Sequence, residues 1–177
     1  MISRDKLRLA ILEKAVVKGR VILSSGKEAE YYVDLRKVTL DSSAAPLVGE
    51  VMLELTKDLD FEAVGGLTLG ADPVATAMMH VAARNGRKID AFVVRKAEKA
   101  HGLQRRIEGP DIKGRRVLAV EDTSTTGGSV LAAVEALKEA GANVVGVAVI
   151  VERGAKEEIE SKGLNFLAAF NLEDLDL

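Results

Sequence analysis

The stretch VLAVEDTSTTGGS, residues 117–129, decides the fold of this chain. Its apolar beginning predicts a buried β-strand that ends in two adjacent carboxylates, Glu121 and Asp122. Hydroxyl residues and two glycines follow at once, and a helical pattern begins at Ser129. The acids can accept hydrogen bonds from sugar hydroxyls or hold a metal, and free N–H groups at a helix N-terminus favour an anion. The stretch therefore predicts a sugar-phosphate site, although an ordinary strand–turn–helix junction uses the same residue types.

Apolar runs of strand length alternate with amphipathic helical patterns along the chain. We predict strands over residues 63–67, 89–94, 117–121 and 143–151, and helices over residues 43–58, from Asp72-Pro73 onward, and from Ser129 to Gly141. Near-continuous apolar strands joined by helices predict an α/β fold with a doubly wound, mostly parallel sheet. Ligands bind beyond the carboxyl ends of the strands in such sheets. The segments that begin at Thr68, Arg95, Glu121 and Arg153 should therefore line one rim.

Composition favours a globular protein with an ordinary core. The chain has 177 residues, of which 47% are hydrophobic and 29% charged, and its net charge is -2. This balance gives no reason to expect a nucleic-acid partner. Cysteine is absent, so disulfides and thiolate metal sites are excluded. No apolar run approaches membrane length and the N-terminus lacks the apolar core of a signal peptide, so we expect no membrane partner and a cytoplasmic location.

The predicted domain organisation is a single domain over residues 1–177. Its core is expected at about residues 43–154, where the alternating pattern is clear. Residues 1–34 and the tail after Gly163 lie outside that pattern. We predict that they form a small hood over the rim.

The stretch at residues 117–129 resembles the phosphoribosyl diphosphate (PRPP) signature of the type I phosphoribosyltransferases, in which apolar residues, two acids and a Thr/Gly-rich loop follow in order. The resemblance implies that Glu121 and Asp122 contact the ribose hydroxyls. It also implies that the 5-phosphate is wrapped by Thr123, Ser124, Thr125, Thr126, Gly127, Gly128 and Ser129. The loop is not that of a nucleotide triphosphatase, which needs Gly-Lys-Ser/Thr, and the dinucleotide pattern GxGxxG is absent.

A basic segment, RKAEKAHGLQRRIEG at residues 95–109, follows another predicted strand. A charge run of this kind is usually a solvated hairpin, but a mobile basic loop at the rim can close over a pyrophosphate leaving group. Its pattern Arg-Lys-x-x-Lys-x-His-Gly resembles the catalytic loop of the orotate phosphoribosyltransferases. The resemblance implies a homodimer in which Arg95, Lys99 and His101 contact PRPP in the other subunit. It implies that Lys96 contacts PRPP in its own subunit.

The segment SSGKEAEYYVDLR, residues 24–36, resembles the part of that family that contacts orotate. The resemblance implies that Tyr31 and Tyr32 form an aromatic wall beside the flat pyrimidine. Many members have a lysine directly before Ser-Gly, whereas this chain has Ser24 there and Lys27 after the turn. Lys27 is therefore a candidate for the orotate site, and whether it replaces the missing lysine stays open.

Two further positions match family residues that contact orotate. Arg153 corresponds to an arginine that pairs with the orotate carboxylate, a role that suits a guanidinium because it can donate two parallel hydrogen bonds. Thr125 corresponds to a threonine that contacts orotate as well as phosphate. A strand-end arginine is otherwise an ordinary surface residue.

The turn TLGAD, residues 68–72, matches the place of the family's pyrophosphate loop, which implies that Thr68 and Gly70 face the diphosphate. Some relatives have a lysine in this loop, and this chain has none there. Binding would depend on backbone donors and a helix N-terminus, whose dipole contributes about 0.3–1 kcal/mol near the surface. The basic loop must then supply most of the positive charge.

The resemblance implies that orotate and PRPP react to give orotidine 5-phosphate and pyrophosphate. Arg95, Lys99, His101 and Asp122 would then be the catalytic residues, acting by positioning and by charge stabilisation. Mg²⁺ would be the cofactor, held mainly by the substrate with Asp122 and Glu121 nearby, without a dedicated set of protein ligands. Two alternatives stay open: a transferase for a purine or another base, and a non-catalytic PRPP-sensing regulator on the same fold.

Overall fold

The computed structural model describes residues 2–22, 28–96 and 106–177. Its strands are β1 (Val16–Ile22), β2 (Glu28–Val33), β3 (Ala63–Leu67), β4 (Asp90–Val94), β5 (Ile107–Glu108), β6 (Arg116–Ser124), β7 (Asn143–Glu152) and β8 (Phe166–Phe170). Its α-helices are α1 (Ser3–Ala10), α2 (Arg36–Thr39), α3 (Ala45–Leu55), α4 (Ala71–Arg84), α5 (Gly128–Glu139) and α6 (Lys156–Ser161). A π-helical turn follows α1 at Ile11–Ala15, and a 3₁₀ turn lies at Glu173–Leu175.

A six-stranded sheet in the order β5-β4-β3-β6-β7-β8 forms the centre of the molecule. All its neighbouring strands are parallel except β5, which is antiparallel to β4. The predicted α/β fold with a doubly wound, mostly parallel sheet is confirmed. Within the part of the chain that the structure describes, no helix is long and apolar enough to cross a membrane.

Strand β6 is buried on both faces, which explains its unbroken apolar run. Leu118 and Val120 belong to an apolar cluster that includes the inward sides of α3 and α4, which we call the α3/α4 cluster. Val117 and Ala119 belong to a second cluster on the opposite face, formed with α5 and α6. The alternation along one strand places helices on both sides of the sheet and leaves only the strand ends available for a site.

The tail after Gly163 was predicted to form part of the hood outside the core, and this prediction was wrong for residues 166–170. Phe166–Phe170 form the edge strand β8, which runs parallel to β7. Phe170 and Leu175 are buried in the α3/α4 cluster together with Leu7 of α1. The chain ends therefore complete the core because their apolar side chains cover the sheet beside α3.

The remaining part of the predicted hood is the hairpin of β1 and β2, a separate two-stranded antiparallel sheet. Asp34, directly after β2, donates its backbone N–H to Ala15 O at 3.0 Å, which ties the base of the hairpin to the end of the π-helical turn. That the hairpin covers the rim stays a prediction.

Several predicted boundaries differ from the observed ones. Strand β6 continues past the two acids because Thr123 and Ser124 still pair with β7. Helix α4 begins at Ala71, so Asp72 lies in its first turn and is not a capping residue. Helix α3 is shorter than residues 43–58, and α5 begins at Gly128, one residue before the predicted start.

Candidate active site

The carboxyl ends of β3, β6 and β7 bring three of the predicted segments together. A Cβ atom built on Gly70 would lie 2.3 Å from Glu121 Oε1 and 2.7 Å from Asp122 Oδ1, so the turn after β3 touches the acid pair. On the other side, the N–H of Arg153 donates to Ser124 O at 2.9 Å. The rim therefore places the acids between the glycine turn and the arginine.

The two acids are largely shielded from solvent at this rim. Glu121 is only 6% exposed, and its Oε1 accepts the backbone N–H of Asp122 at 3.1 Å. Burial raises the pKa of Glu121 to about 8, and the neighbouring charge of Asp122 adds to this effect. Burial also raises the pKa of Asp122, although the backbone N–H of Thr123, 2.7 Å from Asp122 Oδ1, opposes the shift. The pair therefore retains a proton at neutral pH, so it can donate as well as accept hydrogen bonds.

The loop between β6 and α5 presents unpartnered backbone donors. The N–H groups of Thr125, Thr126 and Gly127 have no hydrogen-bond acceptor among residues 2–22, 28–96 and 106–177. Gly127 adopts the left-handed conformation with φ 79°, a region that glycine enters without a Cβ penalty. Helix α5 follows directly and has no side-chain cap. Three free amides before a helix N-terminus form the arrangement that binds a phosphate.

Unpartnered buried polar atoms are concentrated at this rim. Such atoms in the described residues are Thr39 Oγ1, Asp72 Oδ1, Thr123 Oγ1 and Arg153 Nε. Three of these four lie at this rim: Asp72 in the first turn of α4 after β3, Thr123 near the end of β6, and Arg153 directly after β7. Because a buried donor or acceptor without a partner is destabilising, this concentration indicates that a ligand completes the hydrogen bonds.

Asp72 was not expected as a site residue, since its sequence context indicates a helix start. Its Oδ2 accepts a hydrogen bond from Thr68 Oγ1 at 2.6 Å, so the hydroxyl predicted to face the diphosphate is engaged with Asp72. The negative charge of Asp72 also contributes to the raised pKa of Glu121, after burial and the charge of Asp122. The Thr68–Leu69 peptide bond is cis. The N–H groups of Leu69 and Gly70 have no acceptor within the described ranges.

The predicted aromatic wall is divided between the two faces of the hairpin. Tyr31 packs against the α3/α4 cluster. Tyr32 points to the opposite face because neighbouring side chains alternate along a strand, and it interacts electrostatically with Arg36. Of the two tyrosines, Tyr32 is therefore the one placed near a cation.

Arg36, the first residue of α2, is the last residue of the segment matched to the orotate-contacting part of the family, but no role was predicted for its side chain. Its Nε donates to Asp34 Oδ1 at 2.9 Å. This hydrogen bond and the charge of Asp34 raise the pKa of Arg36, and the charge of Asp122 raises it further. The interaction with Asp122 places Arg36 on the same side of the molecule as the acid pair.

The basic loop is described only at its ends. Strands β4 and β5 pair Val94 with Ile107, and the N–H of Arg95 donates to Arg106 O at 2.7 Å, so the two described ends of the loop lie side by side. Arg95 Nη1 lies 3.4 Å from Glu108 Oε1, and Lys96 is exposed. The predicted site residues Lys27, Lys99 and His101 lie outside the described residues.

The donor set suits a hard cation that takes most of its ligands from a substrate. The oxygens of Glu121 and Asp122 are of the kind that Mg²⁺ prefers. No group of three or more His, Cys, Asp or Glu side chains is arranged to hold a metal ion in the described part of the chain. Two neighbouring carboxylates can assist such an ion but cannot enclose it.

Comparison with known proteins adds a family and close relatives. The family model described as "Phosphoribosyl transferase domain" matches residues 38–169. An orotate phosphoribosyltransferase of Streptomyces avermitilis is 67% identical over 177 residues, which cover 98% of this chain and 97% of that protein. The Mycobacterium tuberculosis orotate phosphoribosyltransferase in complex with Fe(III) dicitrate has a TM-score of 0.91 at 56% identity, over 99% of this chain and 100% of that one. Its complex with PRPP has a TM-score of 0.88 at 52% identity, over 99% of this chain and 100% of that one.

Proposed function

This chain belongs to the phosphoribosyltransferase family and, within it, to the orotate phosphoribosyltransferases, and from that premise we propose how its rim performs the reaction. The enzyme is a pentosyltransferase of pyrimidine (UMP) biosynthesis. It transfers the phosphoribosyl group of PRPP to N1 of orotate, giving orotidine 5-phosphate and pyrophosphate.

The phosphoribosyl group is held behind the acid pair. The observation that carries this assignment is the run of unpartnered amides at Thr125, Thr126 and Gly127, directly after Glu121 and Asp122. The amides and the hydroxyls of residues 123–129 bind the 5-phosphate, with Gly128 and Ser129 opening α5 beneath it. The acids bind the 2- and 3-hydroxyls of the ribose, and the proton retained by Glu121 lets the pair match both lone pairs and hydroxyl donors.

Orotate binds at the end of β7. Arg153 Nε is buried without a partner, which is the state expected of a guanidinium that awaits a carboxylate. Because Ser124 pairs with Glu152, the next residues Thr125 and Arg153 lie beside each other across the two strands. They bind the orotate carboxylate together, and Tyr32 lines the approach from the hairpin.

The diphosphate lies over the turn at residues 68–72, where the N–H groups of Leu69 and Gly70 are free to donate to it. Positive charge comes from the basic loop, residues 95–109. We assign Lys96 to its own subunit, and Arg95, Lys99 and His101 to the active site of the second subunit of a homodimer. Arg95 would have to exchange its contact with Glu108 for the diphosphate when the loop closes.

Mg²⁺ is the proposed cofactor. Glu121 and Asp122 are the carboxylates that would lie nearest to the ion, and it would supply positive charge that offsets the charge of the diphosphate. The carboxylates of Asp122 and Glu121 lie next to Gly70, in the turn proposed to bind the diphosphate. They orient the ribose whether or not they bind the ion.

The chemical step requires positioning and charge stabilisation. The bond between the anomeric carbon and the diphosphate oxygen breaks with its electron pair going to the diphosphate, and N1 of the orotate anion forms the new bond. The ribose passes through a state that resembles an oxocarbenium ion, which the carboxylate of Asp122 stabilises electrostatically. Lys99, Arg95 and His101 stabilise the growing charge on the diphosphate. N1 gives up its proton to solvent or to the departing diphosphate as the new bond forms, and no protein base is assigned.

Loss of orotate absorbance with PRPP and Mg²⁺ tests the proposed function, with hypoxanthine, guanine and uracil assayed in parallel. We expect consumption of orotate alone, at a cytoplasmic pH that suits the proposed location. Consumption of a purine would instead favour the transferase for another base. PRPP binding without turnover of any base would favour the regulator.

A further inference from the structure

The turn that faces the diphosphate carries no cation of its own. A side chain at position 70 would begin with a Cβ atom 2.3 Å from Glu121 Oε1 and 2.7 Å from Asp122 Oδ1, so any residue other than glycine would displace both carboxylates. The neighbouring positions are Leu69 and Ala71, which carry no charge. Since a diphosphate bears several negative charges, the cations that bind it must come from other elements of the rim.

The guanidinium of Arg36 is fixed by one hydrogen bond and keeps further N–H donors available among the described residues. Its Nε is bound to Asp34, and its side chain is 46% exposed. A guanidinium has five N–H donors, and the four on its terminal nitrogens have no hydrogen-bond acceptor among the described residues. One fixed edge and one free edge are what a phosphate-binding arginine requires, because the free edge can donate two parallel hydrogen bonds.

The position of Arg36 relates it to the turn. Arg36 lines a groove of about 480 Å³ together with Leu69 and Asp72, which belong to the turn at residues 68–72 and the first turn of α4. Arg36 also interacts electrostatically with Asp122, whose carboxylate touches the Gly70 position. The arginine therefore stands beside the turn that lacks a cation.

We propose that Arg36 binds the diphosphate of PRPP through its free guanidinium edge, and that Asp34 is the positioning residue that fixes this edge toward the turn at residues 68–72. This inference rests on the proposed function, because it names a further ligand of the same substrate. It differs from the assignment of the basic loop in one respect: Arg36 stands on the body of the subunit and is available before any loop closes. Arg36 would then contribute to PRPP capture, whereas the loop residues act in the chemical step.

Orotate is the competing ligand for Arg36, since it is also an anion. The end of β7 already offers a buried guanidinium with an unpartnered Nε to the orotate carboxylate, and that is Arg153. A second arginine on the orotate carboxylate would leave the diphosphate with backbone donors alone until the loop closes. The charge balance therefore favours the diphosphate for Arg36.

Arg36→Gln tests the proposal through the two substrates separately. We expect the KM for PRPP and the Kd for inorganic pyrophosphate with Mg²⁺, measured by calorimetry, to rise roughly 10- to 100-fold, the scale of losing a charge-assisted contact. The KM for orotate should change by less than about twofold. Arg36→Lys should recover part of the pyrophosphate affinity, and Asp34→Asn should weaken it by less than Arg36→Gln because the guanidinium is retained but no longer fixed.

Arg87→Gln is the matched control, because Arg87 stacks on the ring of Phe61 before β3 begins, at the opposite end of that strand. It removes the same charge and should leave the affinity for pyrophosphate unchanged. Unaltered pyrophosphate binding in Arg36→Gln, in a protein with the wild-type Tm, would overturn the proposal. So would a rise confined to the KM for orotate. Absence of transferase activity in the wild type would overturn the proposed function instead, while the pyrophosphate comparison would still decide the role of Arg36.

Discussion

The backbone N–H of Asp122 donates to the carboxylate of Glu121 at 3.1 Å, which holds the two acids side by side at the end of β6. A strand normally turns consecutive side chains to opposite faces, yet both carboxylates approach the Gly70 position. Crowding and burial together keep a proton on the pair. The charge of the candidate site therefore changes near pH 8, where Glu121 loses its proton.

Glu121→Gln should alter how stability depends on pH. The pKa of Glu121 in the folded protein is about 8, against an ordinary value of 4.5. Between these values the folded state keeps a proton that the unfolded state releases, so the stability contribution of Glu121 is full below the lower value and is lost as pH rises through the upper one. Glutamine cannot lose this proton. Urea unfolding at about pH 5 and about pH 8.5 should show Glu121→Gln gaining stability relative to the wild type as pH rises. Parallel pH profiles for the two proteins would contradict a raised pKa at Glu121.

Gly70→Ala should weaken PRPP binding because the added methyl group occupies the space of the acid pair. Its Cβ would lie 2.3 Å from Glu121 Oε1, and relief requires the carboxylates to leave the positions proposed for ribose binding. We expect the KM for PRPP to rise by roughly 10-fold or more, the equivalent of at least about 1.4 kcal/mol. Steady-state kinetics at saturating orotate measure this, and circular dichroism confirms that the fold persists. A KM equal to that of the wild type would mean that the acids do not contact the ribose.

Much of this architecture was predictable from the sequence because its parallel strands are apolar on both faces. The strand Ala63–Leu67 was predicted with its observed bounds, and the PRPP-like stretch located the acid pair and the loop after it. The edge strand Phe166–Phe170 was missed because five apolar residues near a chain end do not distinguish an edge strand from a cap.

The missed site residues have a different physical origin. Asp72 and Arg36 became visible only through the electrostatic influence between distant parts of the folded chain, of Asp72 on Glu121 and of Asp122 on Arg36. Nothing in the spacing of a lone acid or a lone arginine indicates such a neighbour. Tyr31 and Tyr32 were predicted to form one aromatic wall together. Because consecutive side chains of a strand point to opposite faces, they lie on different sides of the hairpin.

Arg153→Ala should impair orotate binding more than PRPP binding. Its Nε is buried and unpartnered, so the free protein loses no internal hydrogen bond from that atom when the side chain is removed. We expect the KM for orotate to rise roughly 10- to 100-fold while the KM for PRPP changes by much less. Arg116→Ala, at the opposite end of β6 and paired with Asp60, is the control for loss of an arginine from the sheet. Equal effects of the two substitutions on orotate would remove Arg153 from the site.

Mixing two inactive variants tests whether the basic loop acts between subunits. Lys99→Ala removes a loop cation whose attraction to the diphosphate grows as the bond breaks. It should therefore lower kcat far more than it weakens PRPP binding. Asp122→Asn disables the ribose side. If the loop of one subunit serves the other, a mixed dimer contains one site with both defects and one site with neither. Random mixing in equal amounts should then restore about a quarter of the wild-type activity, since about half the dimers are mixed and each has one intact site of two.

The control is each variant taken alone through the same mixing procedure. Native mass spectrometry of differently tagged chains verifies that subunits have exchanged. If exchange is complete and activity stays absent, each subunit uses its own Lys99, and the loop closes over the Asp122 of the same chain.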